Sequence, residues 1–177
     1  MKHIVYYVAS SVDGYIAGPN GEVSGFAHEG TGIQQYLNDL KHFDTVLLGR
    51  KTYENGYHYG LLPGQAPYPD KQHYIFSNTL QFENSDPNVA IAPPDADFVR
   101  RLKNKAGADI YLCGGGELAG WLLDNQLIDY LKIKLNPLLL NGGTRLFGKS
   151  VNAFGLDLTG HQTYGGGLQI ITYRIKY

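Results

Sequence analysis

Two apolar segments of this chain each run into glycine and then directly into a helix-forming stretch. One is Val46-Leu47-Leu48-Gly49-Arg50-Lys51-Thr52-Tyr53-Glu54. The other is Asp109-Ile110-Tyr111-Leu112-Cys113-Gly114-Gly115-Gly116-Glu117-Leu118. Buried strands that turn straight into helices belong in a largely parallel sheet covered on both faces. Each junction also leaves the first N–H groups of its helix without internal partners. Those groups lie at the positive end of the helix dipole, a natural seat for a phosphate.

The rest of the chain is read around these two points. Residues 3–9 form a buried first strand ending at Ala9-Ser10-Ser11. Gly, Pro and Asn punctuate 13–21, which reads as a mobile loop. Ile33, Tyr36, Leu37, Leu40 and Phe43 fall at helical spacing, so a helix is expected over 31–42. The strand Thr45–Leu48 follows, then a short helix from Arg50 that ends at Gly56, then a loop over 57–70. Strands are expected at 73–77 and at Val89–Ala92. Pro93-Pro94-Asp95 opens a helix with Phe98, Val99 and Leu102 inward, and Gly107 is placed to end it. Ile110–Cys113 is a fifth strand, and the helix after it turns Leu118, Trp121 and Leu122 inward.

The last third has a different character. Tyr130–Leu135 alternates polar and apolar, the pattern of a strand with one wet face. Gly155–Thr163 and Leu168–Tyr177 flank Gly165-Gly166-Gly167 and read as an antiparallel hairpin. The expected fold is therefore one three-layer α/β/α domain over 1–177. Its mixed sheet is mostly parallel, with an antiparallel C-terminal edge.

Composition narrows the function classes. A formal net charge of −1 provides no global field for nucleic acid or an anionic membrane, so any anion must be met locally. No stretch approaches the roughly 18 apolar residues of a membrane span, and the first residues lack the pattern of a signal peptide. The single Cys113 precludes an intrachain disulfide. A cytoplasmic protein is the expectation. The six histidines show no metal-ligand spacing, so no metal site is expected. There is no G-x-S-x-G elbow and no G-x-x-x-x-G-K-S/T loop. Cys113 ends an apolar strand and reads as a core thiol.

At the first junction, Gly49 permits a close backbone approach, Thr52 adds a hydroxyl, and Arg50 and Lys51 can reach a second phosphate. Cations are ordinarily disfavoured at a helix N-terminus, so their placement here favours an anion-binding role over a plain surface helix start. Arg50 with Ser77 could meet a 2′-phosphate, which would select NADP over NAD. Gly114-Gly115-Gly116 repeats the logic but is not the dinucleotide fingerprint, and close helix–strand packing is the alternative reading of its glycines. Asp13 could bind a sugar hydroxyl or relay a proton; it could equally close an Asx turn on its own backbone.

Taken in order, these segments resemble the dihydrofolate reductase superfamily. The likeness is nearer to the reductase domain of the bacterial riboflavin-biosynthesis deaminase/reductase and its stand-alone relatives. Val8–Ala17 is similar to the family's first strand and substrate-side loop, Leu48–Glu54 to its phosphate turn, and Phe76-Ser77-Asn78 to its adenosine-side strand end. Cys113–Leu118 is similar to its glycine turn, which carries a cis Gly–Gly peptide in dihydrofolate reductases. Gly142–Phe147 is similar to a segment of the riboflavin-type branch. The resemblance implies NADPH as cofactor and hydride transfer to a small heterocyclic or sugar-like substrate. It implies cofactor contacts at Ala9, Gly49, Arg50, Lys51, Thr52, Ser77, Asn78, Gly114, Gly115, Gly116, Glu117 and Leu118. It implies substrate contacts at Ser11, Asp13 and Arg145, with Lys149 a further candidate cation, and a catalytic role for Asp13. The family's pterin-binding carboxylate has no counterpart in Gly30–Tyr36. A non-catalytic nucleotide- or metabolite-binding module on the same fold is the second reading. An apolar edge at 168–177, with Ile170, Tyr173, Ile175 and Tyr177, points to a homodimer.

Overall fold

A computed structural model describes residues 1–177. The elements in chain order are β1 (Ile4–Ser10), β2 (Tyr15–Ala17), α1 (Thr31–Leu40), β3 (Phe43–Gly49), α2 (Arg50–Asn55), β4 (Gln72–Phe76), β5 (Val89–Ala92), α3 (Ala96–Lys103), β6 (Asp109–Gly114), α4 (Gly116–Asp124), β7 (Tyr130–Leu135), β8 (Thr144–Arg145), β9 (Gly155–Thr163) and β10 (Gln169–Lys176). The main sheet runs β5-β4-β3-β6-β1-β7-β10-β9. From β5 through β7 all neighbours are parallel; β10 and β9 run antiparallel at one side. This is the expected three-layer, mostly parallel architecture with an antiparallel C-terminal hairpin.

Strand alternation divides the core into two faces. Ile4 and Tyr6 of β1, Leu112 of β6 and Leu131 of β7 pack under α3 and α4 with Val99, Leu102 and Leu122. Val5 and Tyr7, Val46, Leu48 and Tyr111 pack on the other face with Leu40 of α1 and Tyr53 of α2. Both faces of the central strands are thus dry, as crossover connections in a parallel sheet demand.

Local signals set several boundaries. Asp95 caps α3 by accepting the Asp97 N–H at 2.9 Å. Gly107 does not end α3; the helix stops at Lys103 with Asn104 as its cap. Gly107 instead has φ +134 and lies where a Cβ would fall 2.2 Å from an Asp44 carboxylate oxygen, so only glycine fits there. The 13–21 segment is not simply a loop: Tyr15–Ala17 pairs antiparallel with Thr144–Arg145. The 57–70 loop begins in a 3₁₀ turn over Gly56–Tyr59. The inward stripe of α1 is rotated from the expected one. Leu37 is 54% exposed, while Gly32, Tyr36 and Leu40 lie one turn apart along the sheet side.

Two further expectations need correction. The polar positions of β7 do not face water: Lys132 and Lys134 lie beneath α1, and Lys134 is 9% exposed. Nor is 168–177 the edge; β10 is flanked by β7 and β9, and the outer strand is β9.

One buried polar cluster joins three elements. Asp129 accepts the Ile4 N–H at 2.7 Å and the Lys103 ammonium at 2.7 Å, tying the start of β1 to the end of α3. Removing one partner strands the other charge where water is scarce. With the Asp129 side chain 28% exposed, Asp129→Asn is expected to destabilise the fold by about 1.5–3 kcal/mol, read from its urea midpoint. Lys103→Met added to it should recover much of that loss.

Candidate functional site

Parallel alignment brings the C-terminal ends of β4, β3, β6 and β1 to one edge of the sheet in that order. The sequence-predicted cofactor segments all follow these ends. Leu48 and Gly114 are register partners, so the two glycine junctions lie side by side. A Cβ on Gly49 would lie 3.5 Å from the Gly115 nitrogen, and one on Gly115 would lie 2.8 Å from Thr52 Oγ1. The Gly114–Gly115 peptide is cis. Neither α2 nor α4 has a side chain capping its first turn, so their leading amides are left for solvent or a ligand.

The cations lie around this edge. Arg50 donates through Nε to Glu54 Oε1 at 2.8 Å and through Nη1 to Thr79 Oγ1 at 2.7 Å. Those bonds hold the guanidinium beside the turn after β4. In that turn Ser77 Oγ accepts the N–H groups of Thr79 and Leu80 at 3.1 and 2.9 Å. Arg50 and Ser77, far apart in sequence, thus meet at one place. Lys51 and Asn78 are exposed nearby, and Lys51 forms no ion pair. Glu117 is exposed at the start of α4.

Two of the expected cofactor residues do something else as well. Leu118 is a core residue, 8% exposed, with its Cβ against Gly49. Gly116 lacks a Cβ for packing: one would fall 2.2 Å from the Arg145 carbonyl oxygen. Gly120 repeats this against the Phe147 carbonyl at 2.3 Å. The 145–148 segment therefore lies flat on the first turns of α4. The close-packing reading of the glycine run holds for Gly116, and close approach to Thr52 holds for Gly115.

On the far side of that segment a cavity of about 300 Å³ opens, lined by Asp13, Gly14, Tyr15, Arg145, Leu146 and Phe147 among others. Asp13 and Arg145 thus share one cavity. Asp13 accepts the N–H groups of Leu140 and Asn141 at 3.1 and 2.7 Å. A hydrogen bond from Ser11, with these amides, holds its carboxyl below the usual carboxylate range. Asp13 is therefore ionised at neutral pH and braces the 138–141 loop across the chain; it does not simply close a turn on itself. Ser11, expected as a substrate contact, is enclosed. It is 1% exposed, and its hydroxyl accepts the Tyr15 N–H at 3.0 Å, so it shapes the loop from within. Arg145 and Lys149 are exposed without ion-pair partners.

Apart from Ala9, already expected as a cofactor contact, sequence reasoning missed a second group, on the α1 face of the same strand ends. Ala9, Cys113, Tyr36 and Tyr68 are half-buried there, although Tyr7 and Tyr111 beside them are sealed at 1% and 2% exposure. Tyr36 and Tyr111 share a hydroxyl hydrogen bond at 2.7 Å. Lys134 lies over the Tyr36 ring, 3.5 Å from its centre. Burial pushes the Cys113 thiol up and brings the Lys134 ammonium down to about 8. The available signal was the excess of tyrosines, fourteen in 177 residues, but it had no location in the sequence.

With this geometry in place, comparison with known proteins gives the family. The model of the RibD C-terminal domain matches residues 2–170. The chain belongs to that family. It is 33% identical over 170 residues to the uncharacterised protein YwjB of Bacillus subtilis (strain 168), covering 96% of each. The structure resembles a candidate riboflavin biosynthesis protein from Shewanella sp. PV-4, with TM-score 0.82, 25% identity and full coverage of both chains. It also shares its fold with Enterococcus faecalis dihydrofolate reductase, solved in complex with NADP(H), at TM-score 0.64 and 14% identity; the match covers 99% of this chain and 97% of that one. The chain therefore has the fold of the RibD C-terminal domain family, shared with dihydrofolate reductase.

The seating of 145–148 on α4 can be tested directly. A methyl at Gly120 meets backbone that cannot rotate away. Gly120→Ala is expected to lower stability by about 1–3 kcal/mol in thermal melts. Gly165→Ala, where a Cβ meets nothing within 4 Å, should stay within about 0.5 kcal/mol of the parent.

Proposed function

We propose that this protein is an NADPH-dependent reductase that delivers hydride to a small heterocyclic or sugar-like substrate. The nearest chemistry is that of a 5-amino-6-(5-phosphoribosylamino)uracil reductase. The observation that carries this reading is the adjacency of two uncapped glycine junctions on neighbouring parallel strands, with Arg50 and Lys51 at one of them. Such an edge of an α/β sheet is where nucleotides bind. The NADP(H) in the Enterococcus enzyme of like fold supports the same choice of cofactor.

The residues fit a dinucleotide. Leading amides of α2 and α4, with the Thr52 hydroxyl, would hold the pyrophosphate. Arg50, Ser77 and Asn78 would surround the adenosine end, where the guanidinium can grip a 2′-phosphate in place of Thr79 and Glu54. Ala9, Gly114 and Gly115 are the small residues that let a flat ring approach the strand ends. Lys51, Gly116 and Glu117 border the same groove. The cofactor, when bound, supplies the hydride; the chain aligns donor and acceptor and excludes water. Arg145, facing Asp13 across the 300 Å³ cavity, is available to a substrate phosphate or sugar. Asp13, ionised and tied to two backbone amides, is assigned to shaping that cavity over donating a proton.

The second reading, a binding module without turnover, is favoured by that same commitment of Asp13, which leaves the cavity without a ready acid. Loss of NADPH absorbance with any member of a metabolite panel would eliminate it.

Cofactor binding has a quantitative test. NADPH at a hundred times its Kd is expected to stabilise the fold by about 2.7 kcal/mol in a thermal-shift series. Absence of any shift with millimolar NADPH or NADH would overturn the reading. Arg50→Ala should weaken NADPH by roughly tenfold to a hundredfold, the worth of a charge-assisted bond of about 1.5–3 kcal/mol, and NADH far less. Equal losses would remove Arg50 as the 2′-phosphate reader.

The homodimer proposal moves to the true edge. All but one residue of β9 is exposed, including Leu156 at 45% and Leu158 at 62%. A long bare edge with apolar side chains is a site that soluble proteins cover. Light scattering after size exclusion is expected to give twice the chain mass, and Leu158→Glu to give a monomer that still melts cooperatively.

A further inference from the structure

Two lysines stand two positions apart on the α1-facing side of β7, and the fold treats them differently. Lys132 meets the Asp39 carboxylate at 2.7 Å, and Asp39 is further held by Tyr7 and Gln35. Lys134 has no carboxylate and no hydrogen-bond partner. Its side chain is buried at 9% exposure, with only the Tyr36 ring against its ammonium. No sealed side-chain nitrogen in the structure lacks a partner, so this ammonium keeps a narrow contact with solvent, and holding it there without a counter-charge is still costly. A cation–π contact offsets only part of it.

The neighbours of Lys134 offer no hidden anion. α1 presents Tyr36. β1 presents Ala9 as the register partner of Lys134, and β6 presents Tyr111, opposite Val5, and beyond it Cys113. β1 presents Tyr7, the 57–70 loop presents Tyr68, and β10 presents Ile170 in register. Burial pushes the thiol and these four phenols up, so all are neutral near pH 7. Only Asp39 is acidic, and Lys132 holds it. The partial exposure of Ala9, Cys113, Tyr36 and Tyr68 shows that α1 leaves this corner of the sheet uncovered. An ammonium without a counter-charge thus lies among partly exposed phenol rings and a thiol, next to the strand ends proposed as the cofactor edge.

We propose that Lys134 is a specificity-determining residue of the acceptor pocket: its ammonium receives an anionic oxygen of a flat oxo-heterocycle lying over Ala9. The inference rests on the reductase reading only for placing the acceptor on this side of the strand ends. The aromatic walls suit a planar ring. The lone cation selects an oxygen that is already negative, or that gains charge as hydride arrives at a conjugated carbon. The ammonium titrates at about 8, so it is charged at neutral pH and fades as pH rises through that value. In the unfolded chain it would hold its proton to higher pH. The folded state therefore binds fewer protons between about 8 and the ordinary lysine value of about 10.4, and stability rises with pH across that window.

Calorimetry with three ring probes tests this. Barbiturate is a planar pyrimidine anion at pH 7, uracil is its neutral relative, and 2,4-diaminopyrimidine lacks the oxygens. Each is titrated into the full-length chain with and without saturating NADPH. The expected result is barbiturate binding at least tenfold tighter than uracil, no measurable binding of 2,4-diaminopyrimidine, and a barbiturate preference that declines between pH 7 and pH 9. Lys134→Met should abolish the preference and raise the melting temperature, because the unpaired charge is gone. Lys134→Arg should retain a preference and extend it past pH 9. A Lys134→Met variant that melts lower and still prefers barbiturate would overturn the proposal, leaving Lys134 a structural partner of Tyr36. So would a wild-type chain that shows no preference. The NADPH thermal shift, read on the same samples, separates the two ideas. A shift without ring discrimination sinks the Lys134 inference alone, whereas discrimination without a shift sinks the cofactor reading alone.

Discussion

The structure depends on the close contact of two strand-to-helix turns. β3 and β6 are adjacent and parallel, so their chains must both leave the sheet at the same edge within a few ångströms of each other. The two turns touch: a Cβ on Gly49 would make ordinary contact with the Gly115 nitrogen at 3.5 Å, and one on Gly115 would crowd Thr52 Oγ1 at 2.8 Å. Two helix N-termini then converge on a narrow band with their amides uncapped. The convergence of the two helix N-termini is thus a consequence of how two crossover units pack together.

That contact sets what surrounds it. Because α4 begins within the band, its first turns need cover on the side away from the sheet, and the 145–148 segment provides it through the missing side chains of Gly116 and Gly120. The segment is itself held by β2, by the Leu146 N–H donating to the Gly14 carbonyl at 3.0 Å, and by the Tyr6 hydroxyl reaching the Leu146 carbonyl at 2.9 Å. Loop 11–17 and segment 144–148 therefore form one wall, with the Asp13–Arg145 cavity beside it. Asp13 extends the wall to the amides of Leu140 and Asn141. A residue that looks catalytic from its place after the first strand is an ionic brace between two loops distant in sequence.

Much of this was readable from the chain alone, and what was missed has a common cause. Val89–Ala92, the Asp95 cap, the Gly49 turn and the final hairpin are encoded within a few residues, so pattern and turn chemistry locate them. β2 and β8 comprise three and two residues. Each is a strand only because the other lies opposite, and glycine punctuation hides both. Gly107 looked like a helix stop because glycine serves both ends and tight contacts; the contact with Asp44 is invisible locally. Ser11 looked available because a hydroxyl after a strand often faces a ligand, and only the path of Tyr15 reveals that it is enclosed. In β7 the lysines were read as a wet face, since alternation reports which residues share a side but not what covers that side. The helix that covers it is α1, and its inward stripe was misjudged by one position at Leu37.

The misreading of β7 bears on how the fold divides its tasks. The edge of the sheet carries uncapped backbone amides and the exposed cations Arg50 and Lys51, groups that work in water. The α1 face, one residue below that edge, is lined by phenol rings, a thiol and an ammonium held out of water. The α1 helix could have paired both lysines of β7, since carboxylates one turn apart would reach them. It supplies Asp39 to Lys132 and an aromatic ring to Lys134. A sequence under pressure only for stability would be expected to neutralise or replace the second lysine, because an apolar residue of the same length would serve the core better. Its presence beside a partly exposed corner of the α1 face is the asymmetry on which the proposed role of Lys134 rests.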